Sequence, residues 1–182
     1  MPLLVARAQA AELYHLDPAN TRVSFEVRLF GLPWVTARFD DLSGELMSDR
    51  TAGAGRVDVT VRTASLRCGE PRWDARLMSS EWLDAPLYPQ ITYHSDHVRF
   101  TGHGGAIVSG RLTLHGRTRP VVLTVDHWDC DESRAAQDAC SFEARGRTRR
   151  SEYGLPHGFR DGGDEVEIVI GVSAPGQAAG NS

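Results

Sequence analysis

Apolar and polar residues alternate along most of this chain, and this period of two limits its fold more than any other feature. Between Arg22 and Leu29, for example, every second residue is apolar and the residues in between are polar. Successive side chains of a β-strand point to opposite faces, so the pattern predicts antiparallel strands with one buried face. Similar alternation marks 57–61, 91–100, 107–114, 120–125, 142–150 and 166–172.

The spacing of these segments predicts eight or nine strands, without the strand–helix alternation of a parallel sheet. A helical period occurs in one stretch, 71–85, where Trp73, Leu77 and Met78 fall on one helical face. A long meandering sheet with one apolar face must close into a barrel or fold into a sandwich to protect its edges. The residues therefore predict an all-β fold with one short helical insert.

The chain of 182 residues has no Pro/Gly/Ser-rich linker, so we expect a single domain, which we place at 12–173. Residues 174–182 are small and polar, which predicts a flexible C-terminal tail. Residues 1–11 contain Ala8-Gln9-Ala10, the small-x-small ending of a signal-peptidase site. Two interpretations stay open: the segment is the end of a longer signal peptide, which implies a periplasmic protein, or the likeness is accidental.

The charge of the whole chain gives no general attraction to nucleic acid or anionic lipid, because 20 basic and 24 acidic residues leave a net charge of −4. All the basic residues are arginine. The lack of lysine excludes a Schiff base, a P-loop lysine and a Ser-Lys dyad. No stretch reaches the roughly 20 apolar residues that span a bilayer, so we expect no transmembrane segment.

The sequence carries no recognisable motif for catalysis or metal binding. It has no Gly-x-Ser-x-Gly nucleophile elbow, dinucleotide fingerprint or Walker motif, and no cysteine lies in a motif with a histidine partner. His94 and His97 come closest to the spacing of metal ligands. Residues three apart in a regular strand point to opposite faces, so these histidines can share an ion only at a bulge. We expect neither an enzyme active site nor a metal site.

Two of the three cysteines, Cys130 and Cys140, bracket a polar loop between two alternating segments. In an oxidising compartment they would form a disulfide that joins the ends of a hairpin, and Cys68 would stay free. The alternative is three unpaired thiols in a cytosolic protein.

Four arginines lie within six positions, at 145, 147, 149 and 150. As a nucleic-acid patch, this segment lacks interleaved aromatic residues. As a strand, it places Arg145, Arg147 and Arg149 on the solvated face and Arg150 alone on the buried one. A buried charge needs a partner, which is either a polar ligand group or a carboxylate such as Glu152 or Asp74.

Four short motifs follow one another along the chain. They are Tyr14-His15-Leu16-Asp17, the region from Asp74-Ala75-Arg76-Leu77 to Tyr88-Pro89-Gln90-Ile91, Gly110-Arg111-Leu112-Thr113-Leu114-His115-Gly116, and Arg150-Ser151-Glu152-Tyr153-Gly154. Each motif is weak by itself, but the four in this order closely resemble the YceI-like family of bacterial polyisoprenoid-binding proteins. Arg76 departs from the histidine usual in that family, and Trp82 and Tyr93 stand where phenylalanine is usual.

The resemblance implies an extended eight-stranded antiparallel barrel of lipocalin-like type. It implies further that the barrel holds a long isoprenoid or quinone-type lipid without turnover, that the protein works in the periplasm as a homodimer, and that it needs no cofactor. One alternative is an enzyme or stress-response factor that acts on a small amphiphile in the same barrel. Another is a dimerising sheet protein with a filled core and no ligand.

Strand parity and the resemblance together select the candidate ligand-binding residues. We expect inward strand residues to line the lumen, residues of the helical insert to shape its entrance, and Arg150 with Tyr153 to meet the polar head group. The lumen residues are Phe25, Val27, Leu29, Phe39, Ile91, Tyr93, Leu112, Leu114 and Phe142, and the entrance residues are Trp73, Leu77 and Trp82.

Overall fold

The structure, a computed structural model, describes residues 11–29, 32–49, 51–102, 104–130, 139–157, 160 and 162–175. Within these residues the chain forms strands β1 Glu12–Leu16, β2 Thr21–Leu29, β3 Leu32–Phe39, β4 Leu42–Asp49, β5 Ala54–Arg62, β6 Leu66–Arg67, β7 Gln90–Phe100, β8 Ala106–Leu114, β9 Arg117–Cys130, β10 Ala139–Arg149 and β11 Glu165–Pro175. The helix α1 spans Pro71–Met78, and 3₁₀ turns span Thr63–Ser65 and Arg150–Tyr153.

All eleven strands belong to one antiparallel sheet, in the order β1-β4-β5-β7-β8-β9-β10-β11-β2-β3-β6. The all-β class and the short helix are confirmed, whereas the prediction of eight strands is wrong. The count is higher because the sheet includes pieces too short to show a period. β1 has five residues and β6 has two, and Asp40 and Asp41 separate β3 from β4.

The turn between β8 and β9 consists of His115 and Gly116, whose φ angles are 51° and 69°. Two consecutive residues with positive φ are typical of a type I′ turn, whose twist matches that of the strands it joins. The His115 Nδ1–H donates to the Tyr153 carbonyl oxygen at 3.0 Å. This bond connects the β8–β9 turn to the 3₁₀ turn that follows β10.

Strand registers bring several segments to one end of the curled sheet. β10 ends with Arg149 opposite Glu165, the first residue of β11, and the next residue of β11 pairs with Val27 near the end of β2. Residues 71–89, which we call the cap, lie across this end. The Tyr88 ring of the cap packs edge-on against His115, with 4.6 Å between the ring centroids.

The outer face of the sheet is charged and solvated. Arg145, Arg147 and Arg149 are exposed there, on the face that their parity predicts. Arg145 forms ion pairs with Glu143 and with Glu167 of the neighbouring strand. Across the part of the chain that the structure describes, no helix has the length and apolar character needed to cross a membrane.

Candidate ligand-binding cavity

A cavity of about 110 Å³ lies inside the curled sheet, beneath the cap. Its wall comes from eight strands that are consecutive in the sheet, from the cap and from residues 150–155. Most of the side chains are apolar. The lining residues are Val23, Ser24, Phe25, Val27, Phe39, Val59, Val61, Leu77, Trp82, Leu83, Ile91, Thr92, Tyr93, Leu112, Leu114, Leu123, Thr148, Arg150, Tyr153, Leu155, Val166, Ile168 and Ile170.

Eleven of the fourteen residues predicted to bind a ligand line this cavity, and Phe142 and Trp73 are not among the described lining residues. Phe142 is half-buried but pairs with Val172 far from the cap, so its inward face meets another part of the core. Trp73 is half-buried on α1, where the Arg76 guanidinium carbon lies 5.4 Å from its ring centroid. The Leu29 side chain lies outside the described residues.

Several lining residues were not among the predicted site residues. Val166, Ile168 and Ile170 of β11 form one such group, and Val59 and Val61 of β5 form another. Their alternation marks them as inward-facing, so the signal for these residues was present in the sequence. What the sequence does not show is which inward residues lie level with the cavity along the strands.

Among the lining residues that the structure describes, Arg150 is the charged one, and its side chain is buried against Trp82 of the cap. Arg150 is 3% exposed and Trp82 is 5% exposed. The guanidinium carbon lies 5.0 Å from the Trp82 ring centroid, which is a cation–π contact. An arginine side chain stays charged at physiological pH, so the cavity has one permanently cationic wall.

Arg150 does not end the strand, as parity alone had indicated, but begins the 3₁₀ turn Arg150–Tyr153. The Arg150 N–H donates to the Asp164 carbonyl oxygen at 2.9 Å, so the ladder with β11 ends here. The Asp164 carboxylate accepts the Ser151 N–H and hydroxyl, each at 2.8 Å. Burial by itself would raise the pKa of Asp164, but these hydrogen bonds outweigh it and hold the pKa below its usual value.

The two carboxylates considered as partners for Arg150 have contacts of their own. Asp74 accepts the Cys68 N–H at 2.6 Å. The Thr148 hydroxyl lies 3.4 Å from the Glu152 carboxylate and 3.2 Å from the Tyr153 hydroxyl, and donates to one of them at a time. Burial raises the pKa of Tyr153, so at neutral pH its hydroxyl is uncharged beside the cavity.

Tyr93, another predicted lumen residue, has a structural role on the cavity wall. Its hydroxyl lies 3.1 Å from the carbonyl oxygens of Val108 and Val121 and donates to one of them at a time. The ring covers Gly110, where an added Cβ would come within 2.7 Å of the tyrosine. Burial raises the pKa of Tyr93 strongly, so this hydroxyl stays protonated and engaged with the sheet.

His94 and His97 lie beside a β-bulge, the irregularity that they would need in order to bind one metal ion together. The register of β7 against β8 shifts between Ser95 and His97, and both histidines are exposed. The His94 Nδ1 lies 2.5 Å from the Asp58 carboxylate. Even so, the described residues contain no group of three or more histidine, cysteine or acidic side chains placed to hold a metal.

The backbone places Cys130 and Cys140 directly opposite each other in the β9–β10 ladder. The loop between them and both cysteine side chains lie outside the described residues. Cys68 is a half-buried thiol near the start of the cap, and burial, followed by Asp74, raises its pKa.

Comparisons with known proteins give a consistent assignment. A family model of the YceI-like domain matches residues 14–174. Protein YceI of Salmonella arizonae is 29% identical over 168 residues, which cover 91% of this chain and 87% of the relative. A UPF0312 protein of Enterobacter sp. (strain 638) is 29% identical over 173 residues, which cover 93% and 90%.

Solved structures share the fold at lower identity. BcnA of Burkholderia cenocepacia matches with a TM-score of 0.76 at 24% identity, covering 87% of this chain and 99% of that one. A polyisoprenoid binding domain from Saccharophagus degradans matches with a TM-score of 0.59 at 16% identity, covering 92% and 100%. Since the family model covers well over half of the chain, the chain belongs to the YceI-like family.

Proposed function

We propose that this protein binds a long isoprenoid or quinone-type lipid in the cavity and carries it without turnover. The observation that carries the proposal is the lining itself, an apolar surface interrupted at one end by the buried cation of Arg150. Such a surface suits a hydrocarbon tail with a polar or anionic head. The solved polyisoprenoid binding domain of the same fold supports this class of ligand.

Burial of the tail would supply most of the binding free energy. Removing apolar surface from water contributes about 25 cal/mol per Å², so affinity should rise with the number of isoprene units. A charged hydrogen bond from Arg150 would add selectivity for an oxygen-rich head, because a guanidinium binds phosphate and carboxylate oxygens in a fixed geometry.

Native mass spectrometry tests the proposal directly. Protein purified from its own host should carry a lipid that organic extraction removes, and the stripped protein should bind an added polyprenyl phosphate or quinone. The carrier function is wrong if no lipid copurifies and neither added lipid binds or protects the protein against thermal unfolding.

Arg150→Leu tests the role of the cation at the cavity wall. This variant should bind geranylgeranyl phosphate about 10-fold or more weakly, as expected from losing one hydrogen bond to a charged group, and should bind an uncharged hydrocarbon of equal length normally. Arg149→Leu is the matched control, because Arg149 is the chain neighbour of Arg150 and its side chain is exposed on the outer face. If Arg150→Leu lost the same affinity for the phosphate as for the hydrocarbon, Arg150 would not bind the head group.

We propose further that the protein acts in the periplasm as a homodimer. The signal-peptidase-like Ala8-Gln9-Ala10 and the family resemblance support these two points. Cell fractionation would test the location, and a cytosolic protein would contradict it. Sedimentation analysis by ultracentrifugation would test the oligomeric state, and a monomer at micromolar concentration would contradict the homodimer.

A further inference from the structure

The cavity is much smaller than the lipid proposed for it, so part of its wall has to move when the lipid enters; the inference that follows rests on the proposed function. A cavity of about 150 Å³ accepts one benzene molecule. The cavity here measures about 110 Å³. A chain of several isoprene units therefore needs either the sheet or the cap to open.

The sheet is the harder part to open. β8, for example, pairs with β9 at nine successive positions without a break, from Ala106 to Leu114. Separating such strands breaks a run of backbone hydrogen bonds together and exposes the donors and acceptors on both sides. The strands are therefore the fixed part of the wall.

The cap is attached in a different way. Within the described part of the chain, every hydrogen bond of residues 75–87 stays inside the cap, such as that from the Leu83 N–H to the Leu77 carbonyl at 3.0 Å. The bonds to the barrel lie at the two ends of the cap. Asp74 accepts the Cys68 N–H at 2.6 Å, and the Thr63 N–H donates to the Pro89 carbonyl at 3.0 Å.

Between these two ends, the cap contacts the barrel through apolar side chains, through the Tyr88–His115 ring contact and through the Trp82–Arg150 pair. Leu77, Trp82 and Leu83 are 3–7% exposed and all line the cavity. Arg150 itself stands on a turn that Asp164 fixes to the start of β11. Through the Trp82 ring, the cap therefore contacts the guanidinium of Arg150, whose backbone is fixed to the sheet.

We propose that the cap is the part of the wall that opens to admit the lipid, and that the Trp82–Arg150 contact holds it closed. The middle of the cap can leave the barrel without breaking a hydrogen bond between described residues. Its two anchored ends, with Gly69 at φ 90° just before α1, would act as hinges. Opening would expose the cavity and release Arg150 toward the head group of the entering lipid.

Thiol labelling in the absence of lipid measures the opening directly. In a background with all three native cysteines replaced by serine, Leu83→Cys reports on the cap and Val125→Cys reports on the sheet, because both side chains are buried and Val125 does not line the cavity. We expect Leu83→Cys to react at least 10-fold faster than Val125→Cys. Equal rates at the two positions would overturn the proposal.

A second substitution in the same background tests the Trp82–Arg150 contact. Adding Trp82→Leu should raise the labelling rate of Leu83→Cys by about 3- to 30-fold, the factor set by a cation–π contact. Trp73→Leu is the matched control, because it removes an arginine-stacked ring that lies within the cap. Equal acceleration by both variants would refute the contact's role. If Trp82→Leu also speeds the labelling of Val125→Cys, the substitution disturbs the whole fold. Trp82→Phe then replaces it and should give a smaller increase in the labelling rate of Leu83→Cys.

Lipid uptake then connects the opening to function. With the native cysteines present, Trp82→Leu should take up geranylgeranyl phosphate about 3- to 30-fold faster than the unsubstituted protein, while Trp73→Leu should not. Selective labelling of the cap without any lipid uptake would contradict the carrier function and leave the cap's mobility standing. Lipid uptake with equal labelling of cap and sheet would contradict the cap proposal alone.

Discussion

Asp164 determines where Arg150 stands, although Asp164 does not line the cavity. Its carboxylate accepts two hydrogen bonds from Ser151, and its carbonyl accepts the Arg150 N–H. Gly154, at φ 71°, ends the turn, and the Arg117 guanidinium lies close over it. The position of the buried cation therefore depends on an acidic residue fourteen positions further along the chain.

Asp164→Asn should lower the free energy of unfolding at pH 7 by about 1–2 kcal/mol, because the hydrogen bonds from Ser151 lose their charged acceptor. The pKa of Asp164 is depressed in the folded protein. Its contribution is therefore complete above the unfolded pKa, about 4, and is lost as the pH falls through the lower folded pKa. Urea unfolding should show that the difference in unfolding free energy between the variant and the unsubstituted protein is smaller at pH 2.5 than at pH 7.

The control for this prediction is Asp126→Asn, which changes an exposed aspartate on β9 and should leave the unfolding free energy nearly unchanged. A gap for Asp164→Asn that persists at pH 2.5 would show that the carboxylate charge is not the source of its contribution.

At the scale of elements, the β9–β10 hairpin combines a long ladder with a cysteine at each strand end. Cys130 and Cys140 are opposite residues in the antiparallel register. Opposite Cα atoms in such a ladder are about 4.5–5.5 Å apart, which lies within the range of disulfide-bonded cysteines. The backbone is therefore compatible with the disulfide that the sequence suggests.

Protein exported to an oxidising compartment should have a mass lower by two hydrogens than the same protein after reduction. Cys68→Ser should keep this difference and Cys130→Ser should abolish it. Because the disulfide closes a short loop, its loss should cost about 2–3 kcal/mol of unfolding free energy. An unchanged mass on reduction would establish three unpaired thiols instead.

At the scale of the whole molecule, one curled sheet both forms the core and encloses the cavity. Leu123 and Val122 are neighbours on β9, and they illustrate the two faces. Leu123 is 3% exposed and lines the cavity, whereas Val122 is 51% exposed on the outer wall. A larger side chain at Leu123 would therefore fill the cavity, whereas the same side chain at Val122 would extend into solvent.

Leu123→Trp should reduce the affinity for geranylgeranyl phosphate at least 10-fold and destabilise the fold by about 1–3 kcal/mol, because the larger ring occupies the cavity and overpacks its wall. Val122→Trp should change neither quantity measurably. Binding titration and urea unfolding of both variants test this. A ligand affinity that Leu123→Trp leaves intact would place the lipid somewhere other than this cavity.

Much of the fold could be predicted because the decisive signals are local. Side-chain direction reverses at every residue of a strand, so parity alone places Ala144, Gly146 and Thr148 inside and Arg145 and Arg147 outside, as the structure has them. The helical insert is likewise visible in its change of period. The short strands β1 and β6 were missed, because two to five residues carry too little periodicity to be distinguished from loop.

The sequence by itself determined which face of each strand is buried, and therefore that Arg150 is an inward charge. Only the tertiary structure decided what that charge meets. Four strands, β7 to β10, separate Trp82 from Arg150 along the chain, and the two residues come together because strand order and register place both at the capped end. Phe142 and Phe25 both face inward, yet Phe25 lines the cavity and Phe142 does not, since position along the curled sheet depends on long-range pairing that no local pattern encodes.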